Sequence, residues 1–258
     1  MEGYDAQRLK QGGANAETFT LSFYAKAVGK TGVYSVCCIK KDAGGAGRYQ
    51  VKEFTVTTSW VRHTITFEAD TTALIRNSNS GDLNFYFSMA CGPDDKVAPT
   101  TAWAAGGGVS ASTNQVNFMD STSNEFHITG VQLEIGSTVT PFESKTYAQE
   151  LQACLRYFEK ESLAQTYMVS NGDNAGFMAY DLNWGVKKRA TPTVTFSTWS
   201  VYNYVTLLGD QTTANSWSVA GTFNADSANI GATKASHGLG NLFTMRLINV
   251  TLSADAEI

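Results

Sequence analysis

Three histidines, His63, His127 and His237, could do acid–base or metal chemistry, and they stand in three separate segments. A histidine metal site needs carboxylate or cysteine neighbours at ligand spacing, and none of the three has them. The four cysteines are Cys37, Cys38, Cys91 and Cys154, and they make no metal-type spacing either. Vicinal Cys37 and Cys38 in a strand would point to opposite faces. All four read as small buried hydrophobes kept reduced. No G-x-S-x-G elbow marks a nucleophile. Asp94-Asp95 lies in a loop, where solvation is the commoner role, and a glycosidase needs two carboxyls held across a cleft. The chain therefore reads as non-catalytic, with no metal and no cofactor.

Binding chemistry is better represented. The chain carries 14 Phe, 11 Tyr and 5 Trp, more than one core would absorb. Sugar rings present flat C–H faces that stack on aromatic side chains, while Asn, Asp and Gln bond the hydroxyls. Trp199, Tyr202, Tyr204 and Trp217 lie among Ser, Asn and Thr, and Trp103 lies in a long loop. These five are the candidate ligand-binding residues, against the plainer alternative that they fill cores or interfaces.

The elements that must position them are mostly strands. Phe19, Leu21, Phe23 and Ala25 alternate with polar partners, as do Val61, His63, Ile65 and Phe67. With Val33–Ile39, Tyr49–Val56, Leu83–Ala90 and Phe126–Ile135 they predict six strands in a sandwich or jelly roll. Two long connections, Ala69–Asp82 and Cys91–Glu125, are expected as surface excursions that contact a ligand or neighbour, or as loosely ordered loops. A jelly roll has about eight strands, so six are few for the first unit. Downstream, Leu163–Ser170, Ala175–Trp184, Thr193–Trp199, Val205–Leu208, Trp217–Phe223 and Leu242–Leu252 predict a second antiparallel sandwich.

Between the two sets lies one convincing helical stripe. Tyr147, Leu151, Cys154, Leu155 and Phe158 recur at spacings of three and four, predicting an amphipathic helix over Thr146–Glu161. The expected organisation is mainly β: a sandwich over 1–143, a linking helix over 144–162 and a second sandwich over 163–258. The same apolar stripe is the candidate oligomer interface, with packing onto the helix's own sheet as the alternative.

Composition sets further bounds. Charged residues make up only 16% of the 258, with a formal net charge of −4, and no basic block exceeds Lys187-Lys188-Arg189. An electrostatic footprint for nucleic acid is absent. No apolar run reaches the length of a membrane span, so no membrane insertion is expected.

Several stretches resemble a known family. Gln132-Leu133-Glu134-Ile135-Gly136, then Thr140-Pro141-Phe142-Glu143, Tyr147, Glu150-Leu151 and Cys154-Leu155-Arg156-Tyr157-Phe158 resemble a signature of bacteriophage tail-fibre and receptor-binding-type virion proteins. That signature runs QLE-apolar-G, T-x-F-E, then E-L-x-x-C-x-R-Y-Y. Leu155 stands here where Gln is usual, and Phe158 where the second Tyr is usual. Glu2–Leu9, Leu21-Ser22-Phe23, Arg189–Val194 and Asp255–Ile258 resemble other parts of the family. The resemblance implies that the first unit is like a carbohydrate-binding-module jelly roll, N-terminally truncated because the family's domain begins before the Glu2-Gly3-Tyr4-Asp5 segment, and so with an open edge. It implies a homotrimeric virion component, assembled in the bacterial host cytoplasm with other tail proteins, that attaches to a host surface polysaccharide. A decoration or spacer protein and a polysaccharide depolymerase are the rival expectations.

Overall fold

The computed structural model describes residues 1–42, 44–169, 176–196, 200–203, 218–234 and 244–256. The fold is mainly β, built of several antiparallel sheets with short helices. It divides into two compact units, Met1–Ser144 and Lys145–Ile258.

In the first unit the alternation seen in the sequence becomes two facing sheets. One has the order β4 (Val61–Phe67), β1 (Phe19–Val28), β9 (Glu125–Ile135). The other has the order β5 (Leu83–Phe87), β2 (Gly32–Lys41), β3 (Gly47–Val56), β7 (Ala104–Ala105). Phe19 pairs with Phe67 and Phe23 with His63 across β1 and β4, so the inward residues of both strands share one face. Phe19 and Phe67 stack at 5.4 Å, while Phe23 meets Phe54 and Phe87 edge-on, each at 5.0 Å. These rings prefer stacked or edge-to-face contacts and dominate the core.

Cys37 and Cys38 do face opposite ways. Cys38 belongs to the main core, whereas Cys37 packs with Ile39 and Val51 in a second cluster completed by Tyr49, Val97 and Val109. Cys91 is half-buried and Cys154 exposed, so the expectation of buried thiols fails for both. The second cluster forms because the 91–125 connection folds back over the outer side of its sheet. Thr100 N donates to Val51 O while the Thr100 hydroxyl accepts from Val51 N, and the short parallel pair β6 (Lys96–Val97) and β8 (Ala111–Ser112) lies within it.

The 69–82 connection is not a free excursion. Gly3 N donates to Ser80 O, Tyr4 N to Ser78 O and Gly12 N to Asp70 O, so the N-terminal segment clamps it. Asp70 is drawn inside. Its Oδ2 lies 2.8 Å from Lys40 Nζ and 2.6 Å from Arg48 Nε, and both the Lys40 and Asp70 side chains are buried. Lys40 Nζ also donates to Ala73 O at 2.6 Å and sits 5.2 Å from the Trp103 ring.

The second unit contains two sheets. One joins β10 (Phe158–Val169), β16 (Thr244–Asp255) and β12 (Thr193–Phe196), with β13 (Ser200–Asn203) also on β16. The other has the order β11 (Gly176–Asn183), β15 (Ser227–Lys234), β14 (Ser218–Phe223). Strand β15 was not anticipated, and the expected strand over 205–208 lies outside the described residues.

The helix is shorter than its stripe. It covers Tyr147–Leu155, and Phe158 opens β10 instead of extending it. Thr146 caps its start, accepting from Gln149 N while the Gln149 side chain accepts from Thr146 N, a reciprocal capping box. Its end is fixed by tertiary pairing. Ala256 N donates to Tyr157 O at 2.8 Å, and Phe158 registers against Asp255. The buried Lys188 ammonium donates to Leu155 O, satisfying a terminal helix carbonyl and complementing the dipole.

Candidate ligand-binding face

The outward side of the β4–β1–β9 sheet divides into a roofed half and an open half. The roof is the Gly136–Glu143 strap, which turns back after β9. Glu134 accepts from Thr140 N at 3.1 and 3.2 Å and from Thr140 Oγ1 at 2.6 Å, while Glu143 N donates to Gln132 Oε1 at 2.8 Å. The Thr140 bonds hold the Glu134 carboxyl below its ordinary range. Thr20 Oγ1 donates to Gly136 O at 2.7 Å, and Arg62 donates to Thr140 O and to Ser22 Oγ. Thr20 and Ser22 are therefore buried although they point away from the core. The QLE and TPFE motifs are two halves of this clip.

Gly130 lets the strap close. It sits at φ +59 where the β1–β9 register shifts, and a Cβ there would stand 3.2 Å from the Tyr24 ring and 3.7 Å from that of Phe142. A bulge of this kind re-aims the residues beside it.

Beyond Phe142 the face is open. The register places Lys26 beside His127, and Tyr24 beside Arg62 and Thr129. Trp60, just before β4, shares the outward side and is 47% exposed. Lys26 Nζ lies 5.2 Å from its ring centroid, and the His127 ring meets it edge-on at 6.2 Å. His127 Nε2 is 3.0 Å from Glu125 Oε2. An exposed indole, a tyrosine, a lysine ammonium and an imidazole thus share one surface. This arrangement can stack a planar apolar ring face and bond polar or anionic groups around it.

Of the aromatics nominated from the sequence, Trp103 is only 8% exposed, its Nε1 donating to Glu68 O at 2.5 Å. Its ring serves the core beside Lys40. Tyr202 lies in β13, opposite Arg246, while Trp199, Tyr204 and Trp217 fall outside the described residues. Trp60 was overlooked, although its signal was present. It shares the sequence parity of Arg62, Thr64 and Thr66, the polar side of an alternating strand, so it had to face outward.

The proposed interface residues are largely uncovered. Tyr147 is 81%, Leu151 42% and Phe158 46% exposed, Cys154 is exposed and Leu155 half-buried. No residue of the helix is buried. Among the described residues no cluster of His, Cys, Asp or Glu is arranged to hold a metal ion.

No protein-family model matches the chain, and no curated protein matches it. Among solved structures it is similar to recombinant discoidin II of Dictyostelium discoideum, at 7% identity over 95% of this chain and 76% of that one, with a TM-score of 0.26. The wild-type discoidin II structure gives 8% identity over 95% and 75%, also at 0.26. The structure of Cucumber Necrosis Virus gives 12% identity over 94% and 71%, at 0.18. These likenesses are slight, and the functional reading below rests on the residues themselves.

Proposed function

We propose that this chain is a non-catalytic, adhesive component of a phage virion, a tail-fibre or spike protein that attaches to host surface glycan. The observation that carries the reading is the open half of the β4–β1–β9 face, where Trp60 stands exposed among Lys26, His127, Tyr24 and Arg62. A large exposed aromatic on a rigid strand scaffold contributes contact area at little entropic cost. The signature resemblance supports the virion setting. The uncovered apolar side of Tyr147–Leu155 supports assembly into a homotrimer, alongside other tail proteins. Single glycan contacts are weak, and several copies on one particle turn them into effective attachment.

The test is binding of the full chain to a glycan array and to host cells, for wild type and Trp60→Ala. Binding that Trp60→Ala abolishes supports the reading, provided the variant keeps its thermal transition. A chain that assembles yet binds no glycan or cell is a spacer or decoration protein, the reading that the exposed helix alone favours. Turnover of host capsule would instead identify a depolymerase.

A further inference from the structure

The open half of the face carries one cation, Lys26, with no carboxylate partner. Lys26 approaches no carboxylate within ion-pair distance among the described residues, and its ammonium rests against the Trp60 ring. Arg62 is committed to the strap instead: it donates to the oxygens of Ser22 and Thr140, and its charge acts on Glu134. The two carboxylates of the same face are already engaged. Glu125 is taken by His127, and Glu134 accepts three hydrogen bonds from Thr140. A surface with an unpaired ammonium beside a half-exposed indole complements a ring with one flat apolar side and an anionic edge.

Resting on the glycan reading above, we infer that the occupant of this face is an acidic polysaccharide, a chain of hexuronate residues in which a carboxylate meets Lys26 while a pyranose face lies on Trp60. A charge-assisted hydrogen bond is about twice as strong as a neutral one, so the carboxylates contribute discrimination as well as affinity. Neutral sugars of the same shape would keep the stacking and lose the ionic contacts.

The experiment uses the full chain against an array of uronate oligosaccharides, each paired with its carboxyl-reduced, uncharged twin. The expected result is acidic members bound about tenfold more tightly than their twins, with the preference shrinking as salt rises. Lys26→Met should erase the preference and Lys26→Arg should keep it, while Trp60→Ala should weaken both members of a pair. Equal binding of the twins, or a preference indifferent to salt and to Lys26→Met, overturns the acidic ligand but leaves glycan attachment standing. No binding to any saccharide overturns both.

Discussion

Lys40 Nζ lies 2.8 Å from Asp70 Oδ2 with both side chains almost wholly removed from solvent. Burial alone would raise the Asp70 pKa, but the Lys40 contact and hydrogen bonds from Thr72 outweigh it and hold the carboxyl at about 2. An intact buried pair is not itself strong evidence of stability, yet removing one partner strands a charge. Asp70→Ala, which leaves the buried Lys40 ammonium without a carboxylate, should therefore destabilise the first unit by roughly 3–5 kcal/mol in a denaturant titration. Asp70 is depressed below its ordinary 3.8, so its contribution is present above about pH 4 and fades as pH falls toward 2. Asp70→Asn should lose that acid dependence.

His63 gives a second pH window, with the opposite kind of group. It packs between Phe23 and Phe54, its Nε2 is buried without a hydrogen-bond partner, and burial lowers its pKa below 6.5. The unfolded chain takes up this proton first, so the folded state loses stability as pH drops below about 6.5. His63→Phe should flatten the melting temperature between pH 7.5 and pH 5. An unchanged slope in that variant would count against the assignment.

The strap can be opened without unfolding its sheet. Gln132→Ala with Glu134→Ala removes the side chains that hold Thr140 and Glu143. Limited proteolysis should then cut between residues 136 and 146 well before global melting. Gly130→Val should do the same through backbone strain, since a left-handed φ costs a side-chain-bearing residue about 1–2 kcal/mol.

Assembly has a direct readout. If Tyr147, Leu151 and Cys154 meet their counterparts in other copies, light scattering should give a multiple of 27.8 kDa, and Leu151→Glu should return the monomer mass. A wild-type monomer at micromolar concentration would contradict a trimer.

Strand pattern carried most of the first unit into view, because Phe19, Leu21, Phe23 and Ala25 alternate cleanly and one face had to be buried. The limits were non-local. Nothing near Phe158 announces that Asp255 will pair with it, so the helical stripe ran on past the true helix end. Lys40-Lys41 looks like a solvated strand end until Asp70 arrives thirty residues later. Trp103 was misplaced for the same reason. A tryptophan in a long loop invites a binding role, but this loop folds against the sheet and spends its indole on the Glu68 carbonyl.

Because the polypeptide doubles back after Ile135 and is pinned again at Gln132, it does not depart from the rim of the sheet where the last strand stops. Its point of exit is shifted inward by about 10 Å, the rise of three strand residues. Phe142, the penultimate anchor before departure, abuts the backbone of Gly130 beside Tyr24. Any molecule seated against Tyr24 therefore shares a wall with the outgoing polypeptide, so a load carried along the chain would be felt first at the edge of the occupied patch.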